Sequence, residues 1–314
     1  MTRMPTGPQR KARDATHPRY WPSRCSLWLL RGLTHLPASW QTMIGRLLGR
    51  IAKHLLGQRR DIARRNLELC FPDLTGSDRQ RLLQAHFEAA GISILEMATA
   101  WGGNLDTLDA ELEVQGSAHL EAARQQAGGV LFLGGHFLCM EIVGALFARR
   151  WPVDVVYRRQ GHPVLDAAER KGRLRHFQTL IEHQQIRQVV QRLRAGHSVW
   201  FAADQDQGRR GAVFAPFFGI ETATLTSPLR LAGLTGATIL LLDMWRNDRW
   251  PENEGRRWTV RFRPLPEGFP SGDLSSDAGR LNASIEAAVR EHPEQYLWLH
   301  RRFKTRPPDA PSVY

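Results

Sequence analysis

Cysteine is scarce in this sequence, and no hydrophobic run is long enough to be a membrane-spanning segment. The three cysteines, Cys25, Cys70 and Cys139, are an odd number without metal-type spacing, which suits a reducing compartment better than a secreted disulfide scaffold. The basic residues near the start precede neither an uninterrupted apolar core nor a clear cleavage site, so we expect no export signal. We predict a disordered basic leader over residues 1–20 and a single domain over residues 21–314.

Several catalytic motifs are also missing. The chain has no Gly-x-Ser-x-Gly elbow, no Walker phosphate loop and no His-Glu-x-x-His zinc motif, which sets aside the mechanisms built on them. Cys139 could serve as a nucleophile, but it lies in an apolar helical segment, where a buried cysteine is usually inert packing. No set of three or four ligands with suitable spacing is present near the two acids Asp204 and Asp206, so we predict no metal.

Lysine is rare among the basic residues. Only four of 43 basic residues are lysine, and the 31 acidic residues leave a net charge of +12. Arginine matches the oxygens of phosphate and carboxylate groups, so the surface suits an anionic partner such as nucleic acid, a lipid headgroup or an acidic protein. The charge alone does not choose among them, and a GC-rich genome would also give an excess of arginine.

What the chain does contain is a histidine and a carboxylate five residues apart in an otherwise uncharged segment. His136 follows a pair of glycines, and Glu141 is the only charged side chain in residues 137–148. An ionised carboxylate is rarely buried without a partner. Residues 129–133 have the length and composition of a buried strand. We therefore expect His136 to lie at the edge of a sheet, where ligand sites of α/β proteins form.

Helix geometry restricts how these two side chains can meet. Positions five apart are separated by roughly 140° around a helix axis, so His136 must precede the helix that carries Glu141. The carboxylate could then hydrogen-bond one ring nitrogen, fix the tautomer and leave the other nitrogen as a base. In the alternative interpretation, His136 caps the helix and Glu141 satisfies an internal donor.

Predicted helices and strands alternate along the chain. A capping box at residues 77–80 predicts one helix, a second helical stretch surrounds Met97, and apolar periodicity predicts helices at 186–193 and 281–289. Strand-like segments are residues 111–114, 129–133, 153–157, 198–202, 238–243 and 258–263. This alternation predicts an α/β fold with a central, largely parallel mixed sheet flanked by helices.

Residues 21–57 predict helices that associate with a membrane. Tryptophan and aliphatic residues alternate there with arginine and lysine, but the charge-free stretch between Arg31 and Arg46 is too short to span a bilayer, which needs about 20 residues. Helical spacing gives one apolar face, made by Ile44, Leu47, Leu48, Ile51 and Leu55. The alternative is a helix packed against the core of the protein itself.

Several further motifs occur in an order typical of one protein family. They are Arg65-Asn66-Leu67-Glu68-Leu69-Cys70-Phe71-Pro72, Val156-Tyr157-Arg158, Gly172-Arg173-Leu174-Arg175, Asp204-Gln205-Asp206 and Glu294-Gln295-Tyr296-Leu297-Trp298-Leu299-His300-Arg301-Arg302-Phe303-Lys304-Thr305-Arg306-Pro307. With these motifs the chain resembles the lipid A biosynthesis acyltransferases, in particular their lauroyl branch, within the lysophospholipid acyltransferase superfamily. The resemblance covers nearly everything after residue 40, and its last block is long and specific.

The resemblance implies transfer of a fatty acyl chain, lauroyl-like in length, from acyl carrier protein to a hydroxyl of an acyl chain on a Kdo-modified lipid A precursor. His136, oriented by Glu141, would deprotonate the hydroxyl, which then attacks the thioester directly. The phosphopantetheine thioester is a substrate, so no cofactor is expected. The implied partners are acyl carrier protein, the anionic lipid A precursor and the cytoplasmic face of the bacterial inner membrane, with peripheral or monotopic attachment. No nucleic acid is expected.

Basic residues between two predicted strands are candidates for this chemistry. Acyl transfer passes through a tetrahedral oxyanion, and each fixed donor to it is commonly worth about 3 to 4 kcal/mol. Arg173 is our candidate, because it matches a functionally implicated arginine of the resembled family. It could instead bind substrate phosphate or pair with an acid, and the amides of Gly134 and Gly135 are rival donors. Arg158 and Arg175 are predicted to bind substrate.

The remaining candidates lie at the end of a predicted strand and near the carboxyl terminus. Asp204 and Asp206 could bind a metal, position Arg173 or orient a substrate hydroxyl, and we favour the positioning role. The resemblance makes Asp204 the more important of the two, and Asp206 is predicted to contact substrate. An ordinary loop cap is the alternative for Asp204. Arg301, Arg302 and Lys304 could bind anionic headgroups, although a solvated terminal strand would carry the same charges.

Two other functions are compatible with part of this residue pattern. An acyltransferase acting on a glycerophospholipid, ornithine lipid or glycolipid would keep His136 and Glu141 and change the acceptor, but the last motif block argues against it. A non-catalytic nucleic-acid or membrane-binding protein would use the positive charge. Such a protein would have no reason to place one histidine and one glutamate in an apolar turn.

Overall fold

The computed structural model describes residues 17–126, 128–247 and 255–314. The strands in these ranges are β1 (Leu112–Gln115), β2 (Val130–Gly134), β3 (Val153–Tyr157), β4 (Leu180–Glu182), β5 (Ser198–Ala202), β6 (Ala212–Phe217), β7 (Ile220–Leu225), β8 (Thr238–Arg246) and β9 (Trp258–Pro264). The α-helices are α1 (Trp21–Leu33), α2 (Ala38–Leu55), α3 (Gly57–Cys70), α4 (Gly76–Gly102), α5 (Ser117–Arg124), α6 (Met140–Arg150), α7 (Pro163–Arg173), α8 (Ile186–Arg194), α9 (Ser227–Thr235) and α10 (Leu274–Glu291).

Seven of these strands form one sheet in the order β1-β9-β8-β2-β5-β3-β4, and β6 pairs with β7 in a separate antiparallel hairpin. Neighbours in the large sheet are parallel except β8 and β9. All five residues of β2 are buried, as expected for a central strand covered on both faces. The predicted α/β fold with a largely parallel mixed sheet and flanking helices is confirmed.

The predicted leader is only partly covered by the described residues. Residues 1–16 lie outside them. Pro18–Tyr20 form a short 3₁₀ helix in which Tyr20 is buried, so the end of the segment expected to be disordered is ordered. The burial of Tyr20 ties this end of the chain to the rest of the protein.

The cap of helix α4 lies two residues before the first residue of the predicted capping box, Ser77. Thr75 is its cap, because the Thr75 hydroxyl accepts from the Asp78 amide at 3.1 Å and donates to the Asp78 carboxylate at 2.6 Å. The helix then continues to Gly102, so the two helical stretches predicted separately are one element.

Helices α2 and α4 pack in close contact through glycine. A Cβ on Gly91 would lie 2.0 Å from the Gly45 carbonyl oxygen, and one on Gly49 would lie 2.0 Å from the Phe87 carbonyl oxygen. This packing buries the glycine face of α2 and leaves an apolar stripe on the other side. The exposed residues of the stripe are Trp40, Met43, Leu47, Ile51 and Leu55. Within the described ranges, no helix has both the length and the apolar character needed to cross a membrane.

Candidate active site

The sheet register brings His136 and Asp204 together. Gly134, the last residue of β2, pairs with Ala202, the last residue of β5, in a parallel ladder. His136 and Asp204 each lie two residues beyond this pair and are therefore neighbours at the carboxyl edge of the sheet, although 68 residues separate them in sequence. Ligand sites of α/β folds form at this edge.

Asp204 holds His136 through two contacts. The carboxylate pairs with His136 Nδ1, and its Oδ2 accepts from the His136 backbone amide at 2.8 Å. Burial favours a neutral acid, but the facing imidazole and the hydrogen bonds from His136 outweigh it and lower the pKa of Asp204 far below its ordinary value. The carboxylate is therefore ionised and fixes the Nδ1 side of the ring, which leaves Nε2 available to a substrate.

Glu141 does not make the hydrogen bond that the sequence predicted. Its carboxylate accepts from Trp101 Nε1 at 2.7 Å and pairs with the Arg173 guanidinium, whose Nε lies 3.3 Å from Glu141 Oε2. Asp204 accepts the hydrogen bond of the imidazole instead, and among the described contacts it meets His136 rather than Arg173, the residue that the sequence predicted it to position. Arg173 and Trp101 meet Glu141 from α7 and α4, so its oxygens already have partners. Burial opposes ionisation, but Arg173, Trp101 and the charge of His136 lower the pKa of Glu141.

Arg173 is enclosed by carboxylates. Besides Glu141, it pairs with Glu169 at 2.7 Å, and its side chain is only 12% exposed. Burial opposes its charge, yet the two carboxylates raise the pKa of Arg173 above its ordinary value. Arg173 therefore pairs with acids, one of the alternatives left open by the sequence, and its donors are committed to Glu141 and Glu169 in this structure.

We expect Arg173→Met to lower the free energy of unfolding by about 3 to 5 kcal/mol at pH 7, because it leaves Glu141 and Glu169 buried without their cation. The pKa of Glu141 is lowered in the folded wild type, so its contribution to stability is present at neutral pH and declines as the carboxylate becomes protonated in acid. The difference between wild type and variant should therefore be the same at pH 7 and pH 5 and shrink only as the pH falls below 4.5, the ordinary value for this carboxyl, which urea unfolding at each pH measures.

The exposed pair of Arg159 and Glu182 supplies the control for this measurement. Their side chains are 58% and 30% exposed, so Arg159→Met should cost about 1 kcal/mol or less. Equal losses in the two methionine variants would contradict a stabilising role for the buried cluster around Arg173.

The carboxyl-terminal motif block holds the turn that carries His136. The Leu138 amide donates to the Gln295 carbonyl at 2.8 Å, and the Leu297 amide donates to the His136 carbonyl at 2.9 Å. Phe137 and Tyr296 form a β-bridge between these two bonds. Tyr296 also lines the small cavity that contains His136 and Asp204. The block that carried the family resemblance is thus a structural part of the candidate site.

The two glycines before His136 allow close approach of backbone. A Cβ on Gly134 would lie 2.4 Å from the Leu242 carbonyl oxygen. A Cβ on Gly135 would lie 3.2 Å from the Tyr296 ring and 3.4 Å from Asp204 Oδ2. Side chains at these positions would displace the neighbouring strand or the partners of His136. The role of both amides as oxyanion donors stays a prediction.

Asp206 and Arg302 are buried and form hydrogen bonds that connect separate segments of the chain. Asp206 accepts from the Gly208 amide at 2.8 Å and the Thr305 amide at 2.7 Å. Arg302 is 2% exposed and donates to the Ala223 carbonyl at 2.9 Å. Arg302 is therefore too buried to make the predicted contact with a headgroup. The Asp206 carboxylate, which was predicted to contact substrate, accepts hydrogen bonds from loop amides instead.

Four other predicted binding residues are exposed, namely Arg158, Arg175, Arg301 and Lys304. Arg175 donates to the Gly103 carbonyl at 3.0 Å, and the Arg301 guanidinium lies over the Tyr314 ring. Their exposure leaves them able to meet an anionic partner. In the part of the chain that the structure describes, no group of three or more His, Cys, Asp or Glu side chains could hold a metal ion.

His300 lies beside His136 in the same small cavity. The cavity is lined by Asn66, His136, Asp204, Gln205, Tyr296, Leu297, Trp298, His300 and Arg302. Burial lowers the pKa of His300 to about 4. From the sequence, His300 was expected only to belong to a segment that could bind anionic headgroups, and Tyr296 and Trp101 were given no role. The position of Tyr296 in the last motif block was the available signal.

Comparison with known proteins identifies the family. Residues 9–305 match the family model described as bacterial lipid A biosynthesis acyltransferase. The chain belongs to this family. The lipid A biosynthesis palmitoleoyltransferase of Escherichia coli strain K12 is 35% identical over 304 residues, which cover 96% of this chain and 97% of that protein. The lauroyltransferase of the same strain is 33% identical, covering 95% of this chain and 96% of that protein, and the myristoyltransferase is 28% identical, covering 95% and 91%.

Family membership makes this protein an acyltransferase of lipid A biosynthesis, and it confirms the resemblance inferred from the motifs. The names of the relatives differ in the acyl group transferred. The lauroyl-like chain length expected from the sequence therefore stays a prediction.

Proposed function

We propose that this enzyme transfers a fatty acyl chain from the thioester of acyl carrier protein to the hydroxyl of a 3-hydroxyacyl chain on a Kdo-modified lipid A precursor, with His136 as the general base. The observation that carries the proposal is the contact between Asp204 and His136 Nδ1 at the carboxyl edge of the sheet. This contact leaves Nε2 as the ring nitrogen that can accept a proton.

In the proposed reaction, His136 Nε2 takes the proton of the acceptor hydroxyl as its oxygen bonds to the thioester carbonyl carbon. The carbon–sulfur bond then breaks, and the proton passes from the imidazolium to the leaving thiolate. Asp204 stabilises the imidazolium and holds its tautomer, while the charge of Glu141 acts on the same ring. Because Arg173 is committed to carboxylates, the oxyanion donors we propose are the amides of Gly134 and Gly135.

The net charge of the chain supports acyl carrier protein as the donor of the acyl group. Acyl carrier protein is acidic, and this chain has a net charge of +12. Arg158, Arg175, Arg301 and Lys304 are exposed and could contact the carrier or the phosphates of the acceptor. Each methylene of the acyl chain is worth only about 0.8 kcal/mol of burial, so discrimination between chain lengths should be graded.

Association with the cytoplasmic face of the inner membrane is part of the proposal and rests on α1 and α2. The most exposed large hydrophobic side chain described on these helices is Trp28, at 79%, and the apolar stripe of α2 faces away from α4. Tryptophan and leucine on such a face, with arginine beside them, favour the boundary between headgroups and acyl chains.

We expect the double substitution Leu47→Glu with Ile51→Glu to reduce binding to anionic phospholipid vesicles by about 100-fold, because each side chain contributes roughly 1.5 kcal/mol or more when buried in lipid. Vesicle co-sedimentation measures this. Leu234→Glu is the control, since Leu234 is equally exposed but lies on α9. Unchanged binding of the double variant would exclude α2 as the membrane contact.

The function is tested by incubating the protein with acyl carrier protein thioesters of graded chain length and a set of acceptors, followed by mass spectrometry of the lipids. We expect the Kdo-modified lipid A precursor to gain one acyl chain, and a thioester on coenzyme A to be a poorer donor. Acylation of a glycerophospholipid, ornithine lipid or glycolipid in its place would overturn the acceptor assignment. RNA binding without acyl transfer would overturn the proposed catalytic activity.

A further inference from the structure

Residues 297–314 form a basic segment that runs beside the cavity of His136. Four of these residues are arginine or lysine, and one, Asp309, is acidic. The Leu297 amide donates to the His136 carbonyl at 2.9 Å, and the Thr305 amide donates to Asp206 at 2.7 Å. The segment is therefore attached to both loops that carry the candidate site, the one after β2 and the one after β5.

Basic side chains from two other elements are fastened to this segment. Arg59 and Arg65 of α3 donate to its backbone carbonyls at 3.0 Å and 2.9 Å. Arg209, in the loop after β5, donates to a third carbonyl of the segment at 3.0 Å. Together with the exposed side chains of the segment they form one surface, which we name the basic face. It consists of the exposed residues Arg59, Arg65, Arg209, Arg301 and Lys304.

Asn66 connects the basic face to the cavity. It is fully buried on α3, and its amide donates to the Trp298 carbonyl at 2.7 Å and to the His300 carbonyl at 2.8 Å. Asn66 lines the same cavity as His136. The helix that carries two residues of the basic face is thus joined directly to the wall of the cavity, and a partner bound on this face would lie beside the candidate site.

We propose that the basic face is the docking surface for acyl carrier protein, which it holds so that the phosphopantetheine thioester can reach His136. The inference rests on the proposed function, in which this carrier donates the acyl chain. Glu68 pairs with Arg65 at 3.3 Å, and the other four basic residues of the face make no ion pair among the described residues. Their charges are available to the carboxylates of an acidic protein.

The composition of the basic face favours an acidic protein over a membrane. Exposed large hydrophobic side chains are frequent on α1 and α2, but none is described in residues 57–70, 205–211 or 297–314. A helix or loop that lies in a membrane needs apolar side chains to insert among the lipids. Charge without an apolar stripe is typical of a surface that attracts a transient protein partner by electrostatics.

The test is the binding of fluorescently labelled acyl carrier protein, loaded with phosphopantetheine, to wild type and to the double variant Arg301→Glu with Lys304→Glu. Neither side chain makes a hydrogen bond among the described contacts, so both proteins should melt at the same temperature. We expect fluorescence anisotropy to show about 10- to 30-fold weaker binding by the variant, because repulsive charges replace attractive ones. Lys304→Glu alone should weaken binding by about threefold. Added salt should weaken binding by wild type more than binding by the double variant.

Steady-state kinetics provide a second readout. In the double variant, the KM for the carrier thioester should rise by about the same 10- to 30-fold relative to the KM for acyl-pantetheine, which lacks the carrier protein. A rise in the KM for the lipid A precursor with unchanged binding of the carrier would overturn the inference and assign the basic face to the phosphates of the acceptor.

Arg124→Glu with Arg194→Glu is the matched control, since it makes the same change in net charge. These exposed residues end α5 and α8, the helices that lead into β2 and β5, and so lie toward the opposite edge of the sheet from His136. Equal binding by the two double variants would overturn the inference. The binding measurement needs no acyl transfer, so it decides this inference even if the wild type fails to acylate the lipid A precursor, which would count against the proposed function alone.

Discussion

Replacing His136 with alanine is expected to lower kcat for acyl transfer by about 10³-fold, because the acceptor hydroxyl loses the base that removes its proton. His136 lines the cavity, and Asp204 occupies its Nδ1. No other described imidazole has this arrangement with a buried carboxylate, and His300, the second histidine in the cavity, donates no hydrogen bond to Asp204 among the described contacts. The rate of mass gain by the lipid acceptor measures the loss.

His119→Ala is the control for this experiment. His119 is exposed on α5, and its replacement should leave kcat within a factor of two or so of wild type by the usual tolerance of surface positions. Both variants should keep the circular dichroism spectrum and melting temperature of the wild type. Comparable activity in His136→Ala and wild type would remove His136 as the base while keeping the family assignment.

Asp204→Asn is expected to lower kcat by about 10² to 10⁴-fold, because an amide can donate to Nδ1 and stabilise the wrong tautomer, and it cannot stabilise the imidazolium. The loss should appear in kcat more than in KM, since the carboxylate faces the imidazole and acts on substrate only through it. Steady-state kinetics with the lipid A precursor measure both constants.

Asp206→Asn is the control for Asp204→Asn. It measures how much kcat falls when a different buried carboxylate of the same loop is replaced. Asp206 is as buried as Asp204, but it accepts from backbone amides, which an asparagine oxygen can still do in part. We expect Asp206→Asn to lose less than tenfold in kcat and about 1 kcal/mol of stability. A similar loss of kcat in the two variants would mean that Asp204 only stabilises the loop and does not act on His136.

The sheet could be predicted from the sequence because its strands are short apolar runs bounded by polar residues. The predicted segments 129–133, 153–157 and 198–202 correspond closely to β2, β3 and β5. The β6–β7 hairpin was missed. Its turn contains Phe218 with a φ of 52° ahead of Gly219 with a φ of 72°, and a phenylalanine in the left-handed region gives no turn signal.

The position of His136 could be predicted because it follows a buried strand directly. Its partner could not, because the choice between Glu141 and Asp204 depends on which strands are neighbours. β5 lies between β2 and β3 in the sheet although it follows both in the chain. Proximity in sequence favours Glu141, which is five residues from His136. The strand register instead places the distant Asp204 beside the imidazole.

The charged residues of the last motif block were harder to separate from the sequence alone. Arg301 and Arg302 are adjacent, Phe303 separates them from Lys304, and all three could face an anionic ligand. In the structure Arg302 points into the protein and hydrogen-bonds β7, so its charge is used internally. Only packing distinguishes such an arginine from its exposed neighbours.

The tautomer of His136 tests the proposed role of Asp204 most directly, and it can be read from the ¹⁵N chemical shifts of the ring in labelled protein, with His136→Ala used to assign the signals. We expect the neutral ring to carry its proton on Nδ1, bonded to Asp204, and we expect Asp204→Asn to disturb these shifts. A neutral ring protonated on Nε2, with Nδ1 shifts insensitive to Asp204→Asn, would contradict the proposal that Asp204 prepares Nε2 as the base.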